Sequence, residues 1–551
     1  MGMFLNSKMP FEAYKAAASG KYFVDKSRLL EELLPALGTE ERFFCVTRPR
    51  RFGKSIMANM IGAFLGKAAD AGEVFCDLQI AQYADYHRHL NRHNVIYIDF
   101  SEVPRDCGGY LPYISRIQDG INRDLAEAYP DLNIDMSGAV WDILTDIFQK
   151  KGDKFVFVID EWDAVFHMPF MKEGEKRSYL LFLKSLLKGK VYAELAYMTG
   201  ILPVTKYSSG SEINMFLEYD MATKVKFSEY FGFNDKEVDR LYGIYRGSTR
   251  DCRVAREDLA IWYDGYHTAC GDRIYNPRSV VCALTDGQIS NYWTSSGPYD
   301  EIFYYIQNNV EDVKTDIALM VSGEHVEIRL EGYGAVSDQL NTRNQIYSAM
   351  VVYGLLTYEE EAGEVYIPNR ELMLKFKELL MSNESLGYVH RLARESARML
   401  KATLNGDTQT MTDILEYAHN TETPILSYNS EAELAALVNL VYLAARDKYR
   451  VEREDKAGQG YVDFIFYPDK RDADALILEL KIDNTPEEAI RQIKEKEYAL
   501  RFRGKIGEKA KMTGRILGVG ISYDRKTKVH SCQVQVLDPG SSRPLPVKSN
   551  L

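Results

Sequence analysis

Five apolar or small residues, Phe43–Thr47 (FFCVT), run without a break into Arg48-Pro-Arg-Arg-Phe-Gly53-Lys54-Ser55, and a helical pattern follows from Lys54 to Leu65. A buried strand, a polar loop ending in Gly-Lys-Ser and then a helix are the parts of a phosphate-binding loop, in the required order. Backbone N–H groups at the helix N-terminus face the phosphates, the lysine reaches the β and γ oxygens, and the hydroxyl binds Mg²⁺. The match is incomplete, because Arg48 stands where the pattern G-x-x-x-x-G-K-[ST] begins with glycine. Gly-Lys-Ser alone is weak, and its bland reading is a polar loop. A second segment strengthens it. Phe155–Ile159 (FVFVI) is an apolar strand that ends in Asp160-Glu161. An acid at such a strand tip can hold Mg²⁺ through water, and its neighbour can polarise the attacking water.

Further strand candidates are Val95–Phe100 (VIYIDF), between these two segments in the chain, and Glu194–Thr199 (ELAYMT). Helical stretches separate them, and short continuous apolar runs fit strands covered on both faces of a parallel sheet. The expected fold of residues 1–225 is therefore α/β, a P-loop NTPase with a parallel sheet flanked by helices. Its candidate ATP site comprises Arg50, Arg51, Phe52, Gly53, Lys54, Ser55, Asp160 and Thr199, with Ser55 and Asp160 as Mg²⁺ ligands and Glu161 as the catalytic residue. Thr199 can sense the γ-phosphate or simply end a strand. Arg50, Arg51 and Lys206 can meet phosphates or remain solvated charges.

Residues 226–340 are rich in aromatics, among them Phe227, Tyr230, Phe233, Trp262, Tyr263, Tyr266 and Trp293, and read as a mostly helical, lid-like accessory domain. Residues 341–425 read as a helical linker region. From 426 the order changes. Glu431–Arg446 is helical, Arg450–Glu454 and Tyr461–Tyr467 are strands around an Ala-Gly-Gln-Gly turn, and Ala475–Lys481 is another strand. Thr485–Arg501 reads as a helix with Thr485 as N-cap and Pro486 at its first position, and Arg515–Tyr523 as the last strand.

In that α-β-β-β-α-β order Asp463 lies on one strand while Glu479 and Lys481 share a face of the next, with Leu476, Leu478 and Leu480 turned to the core. Two carboxylates on adjacent strands beside a lysine suit metal-dependent phosphodiester cleavage: the acids hold Mg²⁺ and the lysine positions the nucleophile. Glu454 can add a ligand, and Gln492 lies on the following helix. A structural salt bridge is the competing reading of Glu479 and Lys481.

Charge fits a local rather than a global affinity for phosphate. The 551-residue chain has net charge −12, which disfavours non-specific binding of nucleic acid by the whole molecule. Residues 491–528, however, hold 12 Lys or Arg against 4 Asp or Glu, enough for a local phosphate grip or a solvated helix face. Seven scattered cysteines without a Cys-x-x-Cys pair argue for a reducing cytoplasm and against a structural zinc. His87, His89 and His93 cluster, but at no convincing ligand spacing. No apolar run approaches the ~18 residues of a membrane helix, and no membrane association is expected.

A string of short motifs resembles one family: Tyr22-Phe-Val-Asp-Lys26, Thr47–Ser55, Ile159-Asp-Glu-Trp-Asp163, Thr199-Gly200, Glu229-Tyr-Phe-Gly-Phe233, Trp262-Tyr-Asp-Gly-Tyr266 and Tyr275-Asn-Pro-Arg-Ser279, then Gly458–Asp463, Glu479-Leu-Lys481, Gln492-Ile493 and Tyr498-Ala499. The chain is similar to bacterial AAA-ATPase-like proteins that carry a C-terminal PD-(D/E)XK nuclease-superfamily domain. The resemblance implies ATP binding and a restriction-endonuclease-like α/β fold over 426–551. Arg48 is usual in that family. Tyr461 stands where an arginine is expected, which weakens one phosphate contact. The expected function is an ATP-binding and ATP-hydrolysing protein coupled to a Mg²⁺-dependent nuclease-like domain acting on DNA or RNA. A nucleotide-switched nucleic-acid- or protein-binding module without cleavage is the alternative, and a homo-oligomer is open because such ATPases often assemble.

Overall fold

The computed structural model describes residues 2–104, 107–204, 213–249, 251–293, 311–321, 323–330, 340, 342–382, 384–386, 388–421, 431–457, 460–470, 472–503 and 514–537. By contacts the chain divides into two compact units. The first comprises Met1–Pro298 and Glu327–Glu371, the second Tyr299–Val326 and Leu372–Leu551.

The first unit is built on a five-stranded, all-parallel sheet of β1 (Phe43–Thr47), β2 (Asn94–Asp99), β3 (Phe155–Asp160), β4 (Ala193–Gly200) and β5 (Leu217–Tyr219), in the order β2-β3-β4-β1-β5. Both faces are covered, as the continuous apolar runs require. Helices α1 (Met9–Ala18) and α2 (Lys54–Leu65) pack with Phe44, Val46, Val156, Val158 and Leu195 on one face. Helices α3 (Tyr110–Ala128), α4 (Val140–Lys151) and α5 (Glu173–Leu187) pack with Phe43, Cys45, Ile98, Phe157 and Ile159 on the other. The β4 strand, not β2, separates β1 from β3, so Thr199 stands between the phosphate-loop strand and the acidic strand. The three-residue β5 has no apolar run and leaves no sequence signal.

The aromatic stretch continues this unit with α6 (Asp235–Ser248), α7 (Arg256–Tyr263), a short hairpin pairing Tyr266 with Ile274, and α8 (Pro277–Asp286). Local capping explains the helix starts. The Asn234 side chain accepts from the Glu237 N–H, and the Asn276 side chain accepts from that of Ser279, ahead of Pro277 in the first turn. The region expected to be only helical, 341–425, also contains a hairpin pairing Thr357–Glu359 with Glu364–Tyr366. Helix α9 (Arg370–Ser382) follows; its first two residues belong to the first unit and the rest to the second.

In the second unit, α10 (Tyr388–Asn405), α11 (Thr408–Thr421) and α12 (Glu431–Val441) precede a sheet of β6 (Tyr449–Ala457), β7 (Gly460–Pro468), β8 (Ala475–Ile482), β9 (Ile516–Asp524) and β10 (Val529–Leu537), paired in chain order. Only β8 and β9 are parallel. Helix α13 (Pro486–Glu495) makes the crossover between them and covers one face, burying Ile490 and Ile493 against Ile465 and Ile477. On the opposite face Phe466 packs against Tyr442.

The structure departs from the sequence expectation at four places in the second unit. Arg515–Tyr523 is not the last strand, because β10 follows it. Val529, Ser531, Gln535 and Val536 are exposed while His530 and Leu537 are buried, as on a half-solvated edge strand, which has no apolar run. The helix from Thr485 stops at Glu495, short of Arg501, because Glu497 takes a left-handed φ of 54°. The helix from Glu431 becomes a 3₁₀ turn at Leu443–Asp447. Finally, the β8 face bearing Glu479 is buried as deeply as the leucine face, because α13 lies over it.

Candidate functional site

The four strand ends that matter in the first unit are level with one another. Val46 pairs with Thr199, Thr47 with Gly200, and Asp99 with Asp160. These are carboxyl ends of parallel strands, where open α/β sheets bind ligands. The loop after β1 turns sharply, with Arg51 at φ 70° and Gly53 at φ 93°, and Gly53 is the residue immediately before α2. Glycine takes that left-handed position without a Cβ penalty and leaves the first amides of α2 facing outward.

Arg48 does not face a ligand. Its side chain is 1% exposed, donates from Nη1 to the carbonyls of Thr47 (2.8 Å) and Tyr219 (2.7 Å), and lies 4.8 Å from the Phe231 ring centroid. Burial lowers its pKa to about 10. Its work is to tie β1 to β5 beneath the loop. Phe52 is likewise buried, edge-on to Tyr266 at 5.0 Å, so the Trp-Tyr-Asp-Gly-Tyr run serves the loop by packing. Arg51 donates to the Tyr292 carbonyl at 2.6 Å, and Arg50 acts electrostatically on Glu161.

Lys54 is buried with Nζ 3.2 Å from the Pro49 carbonyl, folded back over the loop. It acts electrostatically on both Asp160 and Glu161, and the Ser55 hydroxyl hydrogen-bonds Asp160. Asp160 is 2% exposed; burial first, and the neighbouring Glu161 second, push its pKa up to about 7. Burial also raises Glu161, which sits at φ 49°. The fully buried Thr199 hydroxyl has no hydrogen-bond partner among the described residues. Lys206 lies outside the described residues.

A cavity of about 1060 Å³ opens onto this loop. Residues 51–57 and Glu161 form one side; Tyr22, Phe23, Tyr230, Phe233 and Arg278 are among those of the others. Sequence reasoning passes over two charged residues here. Arg278 is the second residue of α8, a placement foretold by the Asn-Pro cap, and Asp99 ends a strand just as Asp160 does. It also leaves the third acid of Ile159–Asp163 without a role. Asp163 Oδ2 accepts from the N–H groups of Ile201 (3.0 Å) and Leu202 (2.7 Å), which fixes the chain leaving β4. Among the histidines, His89 meets His93 at 3.0 Å, and His93 meets Glu194 at 2.9 Å.

In the second unit the β7–β8 register, Phe464 opposite Leu478, brings Asp463 beside Glu479. Asp463 Oδ2 accepts from the Leu480 N–H at 2.7 Å. Glu479 is 3% exposed, and its Oε1 accepts from Lys481 Nζ at 3.2 Å and from Gln492 Nε2 of α13. Its Oε2 is buried without a hydrogen-bond partner among the described residues. Burial, with Asp463 adding repulsion, raises the Glu479 pKa. Gln492 also donates to Tyr498 at 3.4 Å. Helix α13 can lie this close only because β9 has glycine at position 520, paired with Glu479; a Cβ there would meet the Pro486 carbonyl oxygen at 2.3 Å. Glu454 lies on β6, and its side chain is outside the described residues. Among the described residues no group of three or more His, Cys, Asp or Glu gathers as a metal site.

Comparison with known families agrees with both halves. Residues 11–209 match the model described as predicted AAA-ATPase, and residues 430–530 that of the PD-(D/E)XK nuclease superfamily. The chain carries an AAA-ATPase-like region and a C-terminal PD-(D/E)XK nuclease-superfamily region. No curated protein matches this chain. Among solved structures it is similar to the Aeropyrum pernix ORC2 protein in ADPNP-ADP complexes, with 11% identity over 68% of this chain and 94% of that one and a TM-score of 0.30. The Aeropyrum pernix ORC1 protein in complex with DNA gives 13% identity, 65% and 91% coverage, and a TM-score of 0.27. Similarity at that level carries no functional implication. No helix among the described residues is long and apolar enough to cross a membrane.

Proposed function

We propose that the first unit binds and hydrolyses ATP and that the second is a Mg²⁺-dependent nuclease acting on nucleic acid under control of the nucleotide state. The observation that carries the first half is the meeting of Lys54, Ser55 and Glu161 at one cavity, with Asp160 hydrogen-bonded to Ser55. Lys54 and the outward amides of α2 bind the phosphates, with Arg50 and Arg51 adding positive charge. Thr199 offers its unpartnered hydroxyl to the γ-phosphate. Ser55 and Asp160 would hold Mg²⁺, whose chemistry would be to neutralise charge developing on the phosphates. Glu161 orients and accepts a proton from the attacking water, and burial, which raises its pKa, makes it a stronger base than an exposed carboxylate.

In the second unit the partnerless Oε2 of Glu479, with Asp463 alongside, fits a divalent cation, whose chemistry would be to polarise the scissile phosphate. Lys481 then positions the water nucleophile, while Gln492 holds Glu479 in place. The free cysteines are compatible with a reducing cytoplasm.

Purified full-length protein tests both halves. ATP turnover should be lost in Lys54→Ala, and cleavage of DNA or RNA with Mg²⁺ or Mn²⁺ should be lost in Lys481→Ala. Wild-type turnover in the first variant, or wild-type cleavage in the second, would remove the corresponding assignment. A second reading, nucleotide-switched binding without cleavage, is favoured by one observation: Glu479 Oε1 and Asp463 Oδ2 already have protein donors. Salt-sensitive binding with no metal-dependent product would support it.

A further inference from the structure

Glu371 is a fully buried carboxylate that none of these roles uses. Its Oε1 accepts from the backbone N–H groups of Tyr292 (2.5 Å) and Trp293 (2.7 Å), and its Oε2 accepts from the Ser279 hydroxyl of α8 at 2.9 Å. Its backbone carbonyl accepts from the Asn291 side chain at 3.1 Å. One carboxylate thus fixes segment 291–293 to the start of α9. The opposite side of that segment holds the phosphate loop, since the Tyr292 carbonyl accepts from Arg51 at 2.6 Å. Arg51 borders the cavity, and it acts electrostatically on Glu371 itself.

Resting on the nucleotide reading above, we propose that Arg51, the Tyr292 carbonyl and Glu371 form a phosphate-responsive relay from the loop to the first turn of α9. A neutral carbonyl competes poorly with a polyanion for a guanidinium, because charge-assisted hydrogen bonds are about twice as strong as neutral ones. A triphosphate in the cavity therefore draws Arg51 away from Tyr292. Segment 291–293 loses that hydrogen bond to the loop, and the change is passed to the bonds to Glu371. Glu371 is the last residue of the first unit, and α9 continues into the second, so the relay ends at one of the three points where the chain passes from one to the other. Glu371 is a positioning residue here and touches no substrate.

The test is amide hydrogen exchange of residues 370–382 in the full-length chain, with and without a saturating non-hydrolysable ATP analogue and Mg²⁺, with nucleotide affinity titrated separately. Wild type should change exchange rate there by about fivefold on binding, a common size for coupling between sites. Glu371→Gln should bind the analogue with near wild-type affinity yet lose that response, and Arg51→Ala should lose it even at saturation. Ser279→Ala removes one bond only and should weaken the response; it remains informative if Glu371→Gln does not fold. An unaltered response in Arg51→Ala or Ser279→Ala, or saturated wild type without any response, overturns the relay while leaving ATP binding intact. Failure of wild type to bind the analogue defeats the nucleotide reading and the relay together.

Discussion

The Ser55 hydroxyl in the first turn of α2 hydrogen-bonds Asp160 at the tip of β3, joining two segments separated by more than a hundred residues of chain. If this pair holds Mg²⁺ on a nucleotide, Ser55→Ala and Asp160→Asn should each reduce Mg²⁺-dependent ATP turnover by about 100-fold, as loss of one preorganised electrostatic contact does. Nucleotide affinity in excess chelator should change little. Parallel turnover and binding measurements check this, and equal losses in both would reassign the pair to folding.

Replacing Arg48 by glycine, which would restore the usual first position of the loop pattern, should harm the protein. Two carbonyls would lose their donor and the ring of Phe231 its cover. The expected cost is about 3 kcal/mol of stability, from a buried charged hydrogen-bonding group and its cavity. Denaturant unfolding of Arg48→Gly against wild type measures it, and an unchanged midpoint would contradict the assigned role.

Glu371 has a pKa raised to about 7, with burial as the leading cause. A folded-state pKa above the unfolded one means that the native protein holds the extra proton. The associated stability is fully present below the unfolded carboxylate value and fades as pH rises through about 7. Wild type should therefore lose up to about 3 kcal/mol relative to Glu371→Gln between pH 5 and pH 8. Thermal melts of both proteins across that range provide the measurement, and a widening wild-type advantage at high pH would reverse the sign.

In the second unit, Glu479→Gln should weaken Mn²⁺ binding in calorimetry by at least about tenfold, since it neutralises a carboxylate that no third described acid backs up. Lys481→Ala should retain metal binding while losing cleavage. Metal binding at wild-type strength in Glu479→Gln would show that the ion, if any, sits elsewhere.

Gly520→Ala should lift α13 from β9 and destabilise the second unit by about 1–3 kcal/mol, the usual cost of overpacking. ATP turnover by the first unit supplies the internal control, since a loss there would mean a wider folding defect.

The strands that position the nucleotide site were legible because each is a short apolar run with a polar residue at its end: Phe43–Thr47 is β1 as expected, and Phe155–Ile159 extends by one residue to Asp160. Their spatial order was not legible, because adjacency in a parallel sheet depends on which helices cover which face. The inward turn of Arg48 was equally hidden, since a cation in a polar loop reads as solvated until Tyr219 and Phe231 are brought beneath it. In the second unit the pairing of Asp463 with Glu479 followed from strand alternation. The burial of Glu479 did not, because it depends on a glycine one strand away. Strand β10 escaped notice because half of its residues face water.

The position of Arg48 has a consequence for recognising loops of this kind. The opening residue of the motif answers to the interior of the domain, while the residues with chemistry to do come at its end. A pattern search that insists on glycine at the opening would discard this chain, whereas one asking for a large cation there, followed by an aromatic, glycine, lysine and a hydroxyl, would retrieve it for the right physical reason.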